Sequence, residues 1–198
     1  AKFGETMALH MIHNSPVLGF NLYYNSGYKF GEGSSNKYGG YLGFSADTGH
    51  FAFATSNTGN AGGAATMTER VRIDASGNVG IGVTPEATST SHTALQIGGN
   101  AIITSYGAQG TSGEVDFGHN YYYAQSGLDK YISTDEATKF RLTSGHFRFY
   151  TAPSGTAGNT VTFTERMTIL QGGNVGIGTS NPQFKLHISG STDLLWLQ

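Results

Sequence analysis

The 198-residue sequence contains no cysteine, which excludes disulfide bridges and cysteine nucleophiles and leaves the redox compartment open. Charge is also scarce: Asp, Glu, Lys and Arg make up 12% of the chain, about half of the usual share of roughly 25%. The 11 basic and 13 acidic residues nearly cancel, so we expect no nucleic acid partner. No signal peptide and no apolar run of membrane-spanning length is visible, and we expect no membrane insertion.

The abundant residue types favour strands and turns. Glycine occupies 30 positions, about twice its usual share of about 7%, and together with Ser, Thr and Asn it competes with helix formation. The 12 Phe and 11 Tyr residues supply enough apolar surface to exclude simple disorder. Residues alternate with a period of two around Phe51 to Ala54 and around Lys139 to Leu142. This composition and periodicity predict an all-β fold.

The chain repeats itself at an offset of 96 residues. TMTERVRIDASGNVGIG at 66–82 corresponds to TFTERMTILQGGNVGIG at 162–178. From this similarity we predict two tandem β-rich repeats at 1–93 and 94–184, with the truncated start of a third at 185–198. Repetition on this scale is typical of repeated structural units rather than of a catalytic site.

Both copies contain the hexamer Gly-Asn-Val-Gly-Ile-Gly, which resembles a phosphate-binding loop in its glycine content. Such a loop requires a helix directly after it, whose N-terminus meets the phosphate. Here a proline follows within a few residues and no helical pattern begins. The hexamer therefore indicates a strand, and no cofactor is expected.

On that strand, Val79 and Ile81 lie on one face, which should pack against a core, while Gly80 and Gly82 leave the other face bare. Glycines placed in this way mark a point where another backbone approaches closely. The turn signal DASGN before the hexamer predicts that the preceding strand folds back onto it. The many strands carry little charge to protect exposed edges, which favours association of several copies.

Two segments resemble a known family. ERVRIDASGNVGIGVTP and ERMTILQGGNVGIGTSNPQFKLHISG are similar to the recurrent element of bacteriophage tail fibre and related virion fibre proteins. The resemblance implies an extended, intertwined homotrimer located on the virion, outside the host cell, without enzymatic activity. It also implies other virion tail proteins as partners and a contribution to host attachment through a surface glycan or receptor. A purely structural virion module without a ligand is an alternative.

Tyrosines are the predicted contacts to such a receptor, because an outward-facing ring can stack on a sugar or hold an interface. Filling the interior of the trimer is the competing role. The candidate residues fall into two clusters, one in each repeat: Tyr23, Tyr24, Tyr28, Tyr38 and Tyr41, and Tyr121, Tyr122 and Tyr123.

Acidic residues and histidines offer further candidate sites. Glu114 and Asp116 could share a strand face, as a tailspike-like glycan hydrolase or lyase would need. His10 and His13 could bind a metal only at an axis shared by several chains, since they face opposite sides of a strand. Because these sets have no supporting motif, no catalytic or metal-binding residue is predicted. Glu69 is expected to pair with the adjacent arginine, as is the equivalent glutamate of the second copy.

Overall fold

The computed structural model describes residues 9–12, 17–31, 36–107 and 111–190. Their regular structure is entirely β, as predicted, and these residues contain no helix that could cross a membrane. The chain divides into two compact units, Ala1–Pro85 and Glu86–Gln198. The boundary at Pro85 follows contacts within each unit, whereas the repeat boundary at 93 follows sequence similarity. His10 belongs to the first strand, and His13 lies outside the described residues.

In unit 1, six strands form an antiparallel sheet in the order β1-β2-β5-β6-β7-β8, and the hairpin β3–β4 stands apart from it. The bounds are β1 (Leu9–Ile12), β2 (Val17–Phe20), β3 (Leu22–Tyr24), β4 (Tyr28–Phe30), β5 (Gly40–Ser45), β6 (His50–Ser56), β7 (Met67–Ile73) and β8 (Val79–Ile81).

Unit 2 also consists of one sheet and a separate hairpin. Its sheet has the order β9-β10-β11-β14-β15-β16-β17-β18, antiparallel up to β17 and parallel between β17 and β18, with the hairpin β12–β13 apart. The bounds are β9 (His92–Ile97), β10 (Ala101–Tyr106), β11 (Glu114–His119), β12 (Tyr121–Tyr123), β13 (Asp129–Tyr131), β14 (Asp135–Thr143), β15 (His146–Gly155), β16 (Thr164–Ile169), β17 (Val175–Ile177) and β18 (Leu186–Ile188).

Local turn chemistry sets the register of the strands. Between β14 and β15, Ser144 and Gly145 both have positive φ, 50° and 74°, which is the backbone of a two-residue turn that matches the twist of antiparallel strands. Between β7 and β8, the Asp74 carboxylate accepts hydrogen bonds from the backbone N–H groups of Ser76 and Asn78. The pairing of β7 with β8 confirms that the first of these strands folds back onto the glycine-rich hexamer.

The core of each unit lies between one face of the sheet and the separate hairpin. In unit 1, Leu22 and Phe30 of the hairpin are fully buried and pack near Ala65. In unit 2, Tyr121 and Tyr131 occupy the corresponding hairpin positions and are also buried. Small residues of the sheet, Ala52 and Ala54 in unit 1 and Ala137 and Ala152 in unit 2, are buried as well and leave room for these large side chains.

A close backbone approach requires Gly80, as predicted, whereas Gly82 meets nothing within 4 Å and has a positive φ of 71° instead. A Cβ atom on Gly80 would collide with the carbonyl oxygen of Val83 and with the ring of Pro85, and one on Gly176 would collide with the carbonyl oxygen of Thr179. The approaching backbone is therefore the loop that follows the strand in the same chain. The opposite face of this strand lacks the core that was predicted for it, because Ile81 remains 41% exposed.

Candidate functional site

The sheet face that points away from the hairpin is apolar in both units, and we call it the apolar face. In unit 1 it consists of two rows of directly paired residues that cross β5 to β8. One row contains Leu42, Phe53, Val71 and Ile81, and the other contains Phe44, Phe51, Ile73 and Val79.

Unit 2 repeats the two rows with larger side chains. The registers of β11 to β18 align the residues in this order: Phe117, Phe140, Phe149, Met167, Ile177 and Ile188 in one row, and Val115, Leu142, Phe147, Ile169, Val175 and Leu186 in the other. Phe51, Phe53, Phe117 and Phe147 are each 44–48% exposed. A single described chain thus leaves a continuous apolar surface open to solvent on each unit.

The opposite face of the unit 2 sheet gathers charged residues in a protein that has few. The Asp116 carboxylate accepts two hydrogen bonds from Arg141, each 2.7 Å, and a third from the hydroxyl of Tyr121. Arg141 also contacts Glu114 at 2.9 Å. Lys139 lies 2.7 Å from Asp129 and 3.7 Å from Asp116. Two cations and three carboxylates therefore form one connected ion-pair network.

A cavity of about 450 Å³ opens onto this network. We call it the charged pocket, and its lining includes His92, Tyr106, Glu114, Tyr123, Asp129, Lys139 and Arg141. The His92 ring stacks on Tyr123 with 4.1 Å between ring centroids, and it lies 5.0 Å from the ring of Tyr106. One side of the pocket is thus aromatic and the other is charged.

Burial and pairing perturb the groups of the pocket. Burial raises the pKa of Glu114, while the nearby Arg141 opposes that shift. Burial lowers the pKa of His92 below its usual 6.5, which favours the neutral ring. Burial alone would lower the pKa of Arg141. The hydrogen bonds and the charge of Asp116 outweigh this effect and raise the pKa above its usual value, so the guanidinium remains charged.

The predicted tyrosines occupy different environments. Tyr38 and Tyr24 are 70% and 59% exposed. Five others are partly buried: Tyr23, Tyr28, Tyr41, Tyr122 and Tyr123. Tyr121 has no exposed surface, and burial raises the pKa of its phenol. The prediction of receptor contact is wrong for Tyr121, because the hairpin places its ring in the core against Phe163.

The repeated glutamates do form ion pairs, but their partners differ from those predicted. Glu69 pairs with Arg72 at 2.6 Å, and Glu165 pairs with Arg148 at 3.0 Å. The adjacent arginine in each copy instead donates a hydrogen bond to a threonine of the neighbouring strand. Adjacent residues of a strand point to opposite faces, so the nearest residue in sequence is a poor partner.

Sequence reasoning missed most of the charged pocket. It placed Glu114 and Asp116 on one strand face, and both do contact Arg141. The alternation of Lys139 and Arg141 with apolar residues was a signal that both lie on one face of β14. Their acidic partners come from other strands, which no local pattern reveals. No protein-family model and no curated protein matches this chain.

Proposed function

We propose that this chain is a structural, non-enzymatic segment of a phage tail fibre or a similar virion appendage, and that it works as a homotrimer. In the trimer, the apolar face of each chain packs against the apolar faces of the other two copies. The segment serves as a stiff β-rich spacer that contributes to host attachment.

The exposed apolar face is the observation that carries this proposal. Phe117, Phe147 and Phe149 together leave about 250 Å² exposed in unit 2, if each phenylalanine has about 200 Å² to bury. Monomeric proteins rarely expose apolar patches beyond a few hundred Å², and aliphatic residues extend this one on both sides. A second copy is the natural occupant, because both rows contain only apolar residues in each unit and every copy of the chain presents the same surface.

The repetition of the sequence supports an elongated trimer. Each unit carries the same rows, the same hairpin and the same glycine-rich strand, so identical contacts can be made at successive positions along an axis. The resemblance to virion fibre proteins points in the same direction. Receptor contact in this proposal involves the most exposed tyrosines, Tyr24 and Tyr38.

The test is the native mass, measured by light scattering after size exclusion and repeated with unboiled samples in SDS. The proposal expects about 63 kDa, three times the chain mass of 20.9 kDa, in a form that resists SDS. A monodisperse monomer would overturn it, because each apolar face would then be stable in water without a partner.

One alternative has a specific observation in its favour. A tailspike-like glycan hydrolase or lyase would need a carboxyl group with a raised pKa as its acid, and Glu114 has one. Its neighbour Asp116, however, is 95% buried at its side chain and occupied by Arg141 and Tyr121. A depolymerisation assay on host polysaccharide, repeated with Glu114→Gln, separates the two functions.

A further inference from the structure

We propose that the charged pocket of unit 2 binds a neutral, hydroxyl-rich ligand, namely a single saccharide residue. This inference rests on the proposed function for the biological source of that sugar, a glycan of the host surface. The inference places the sugar contact elsewhere than the sequence prediction did. Of the tyrosines predicted from the sequence, only Tyr123 lines the charged pocket.

The first argument is a comparison of the two units at equivalent positions. The registers align Val17 opposite Gly43 in unit 1 with Asp116 opposite Arg141 in unit 2. They likewise align Tyr41 with Lys139, each of which lies opposite a glycine. The hairpins align Tyr28 with Asp129, each opposite a tyrosine. Four of the five charged residues of the network, Asp116, Asp129, Lys139 and Arg141, therefore have uncharged counterparts in unit 1.

Unit 1 shows that the fold does not require these charges. There, Tyr28 and Tyr41 stack with 5.4 Å between ring centroids above Val17, and the remaining cavity measures about 220 Å³. The charged pocket of unit 2 shares three of its lining positions with that cavity, namely Asp129, Lys139 and Arg141, and measures about 450 Å³. Replacing a tyrosine stack with an ion-pair network therefore comes with a larger cavity.

The second argument is that the network is costly as a purely structural device. The side chains of Lys139 and Asp116 are each only 5% exposed, and burying an ion pair usually gains no stability over apolar packing of similar volume. The Oδ1 atom of Asp129 is buried and has no hydrogen-bond partner among the described residues. An unsatisfied buried carboxylate oxygen calls for an explanation, and a ligand hydroxyl group in the adjoining cavity supplies one.

The third argument is the match between the pocket and a sugar. Carboxylates accept hydrogen bonds from hydroxyl groups and a guanidinium donates to them, and Glu114 and Arg141 lie side by side at the lining. The rings of Tyr106 and His92 offer apolar surface to the C–H face of a pyranose. Because the cations and carboxylates pair with each other, the pocket has little net field to attract an ion, which favours a neutral ligand.

The test is saturation-transfer-difference NMR on the full chain with neutral methyl glycosides of glucose, galactose, mannose, rhamnose and N-acetylglucosamine as probes. We expect signal transfer to the ring protons of at least one glycoside. Tyr106→Ala should weaken its binding about five- to tenfold, the value of one aromatic contact. Tyr106 is 45% exposed, so this variant should fold. Phe184→Ala, which removes a ring of unit 2 that is 72% exposed and does not line the pocket, is the matched control and should bind as the parent does.

Two outcomes would refute the proposal that the charged pocket binds a saccharide. One is no transfer to any of the five glycosides beyond that seen with serum albumin. The other is loss of binding in Phe184→Ala while Tyr106→Ala binds normally, which would move the contact outside the pocket. The native mass of the same samples keeps the two proposals apart. If the chain is a trimer that binds no sugar, only the proposal of a saccharide site is refuted. If it is a monomer that binds a sugar, only the proposal of a trimeric fibre segment is refuted.

Discussion

Phe53→Ala is the most direct test of the apolar face. The Phe53 side chain lies in a row between Leu42 and Val71 and is 46% exposed in the single chain. If assembly buries that remainder, about 90 Å² of apolar surface is lost from water in each chain. At about 25 cal/mol per Å², this contributes about 2 kcal/mol per chain and about 6 kcal/mol per trimer.

The expected effect is large when expressed as a concentration. A loss of about 6 kcal/mol raises the three-body dissociation constant by about four orders of magnitude, and the midpoint concentration for assembly by about 100-fold. The measurement is sedimentation velocity over a range of protein concentrations, after refolding from denaturant so that equilibrium is reached. Tyr38→Ala, at a position 70% exposed, is the control and should leave the midpoint unchanged.

A specific result would refute this reasoning. If the parent is a trimer and Phe53→Ala assembles at the same midpoint, the apolar face is not the interface between copies. The same conclusion would follow if Tyr38→Ala shifted the midpoint as much as Phe53→Ala, because the effect would then not depend on the face of the sheet.

Two further predictions concern stability. Gly176→Ala should lower the free energy of unfolding by about 1–3 kcal/mol, because its Cβ would collide with the Thr179 carbonyl; Gly172→Ala, which meets nothing within 4 Å, should be neutral or slightly stabilising in the same urea titration. Burial lowers the pKa of His92, so between 6.5 and that lowered value the unfolded chain binds a proton that the folded chain does not. The free energy of unfolding should therefore fall as the pH falls below 6.5, and the melting temperature of His92→Gln should fall less over the same range; an equal fall in both would exclude His92 as the cause.

The period-two pattern predicted the strands well because alternation is a local property. Phe51 and Phe53 share a face in any strand, whatever lies elsewhere in the chain. What alternation cannot decide is which face another element will cover. The predicted core on the Val79 and Ile81 side is absent from the single chain, since the hairpin covers the other face, where Ala52 and Ala54 are buried.

The charged pocket could not be predicted from the sequence for a related reason. Its ion pairs join Lys139 to Asp129 and Arg141 to Asp116, across separations of 10 and 25 residues, which depend on the order of strands in the sheet. The tyrosine clusters were visible in the sequence, but their exposure was not. Tyr121 and Tyr24 belong to equivalent hairpins and differ only by their place on the strand, and one is buried while the other is 59% exposed.

The two units also contain a natural exchange of one ion-pair partner. In unit 1 the guanidinium beside Glu69 comes from Arg72 on the same strand, and the residue opposite Arg72 is Ala52. In unit 2 the guanidinium beside Glu165 comes from Arg148 on the neighbouring strand, and the residue opposite Arg148 is Thr168. The repeat offset of 96 makes these positions equivalent, so the arginine has changed strands while the glutamate has kept its partner.

This exchange predicts the outcome of a double-mutant cycle in unit 2. Arg148→Ala alone leaves the Glu165 carboxylate partly buried and without its arginine, which should cost about 1–3 kcal/mol in the free energy of unfolding. Adding Thr168→Arg should recover at least about 1 kcal/mol, since unit 1 places its arginine there opposite an alanine. Thr168→Arg alone should destabilise, because Thr168 is fully buried and the larger side chain would have to fit beside Arg148. Urea titration of the four proteins measures the coupling. Additive losses would mean that the arginine position is set by packing of its neighbours rather than by the charge of the glutamate.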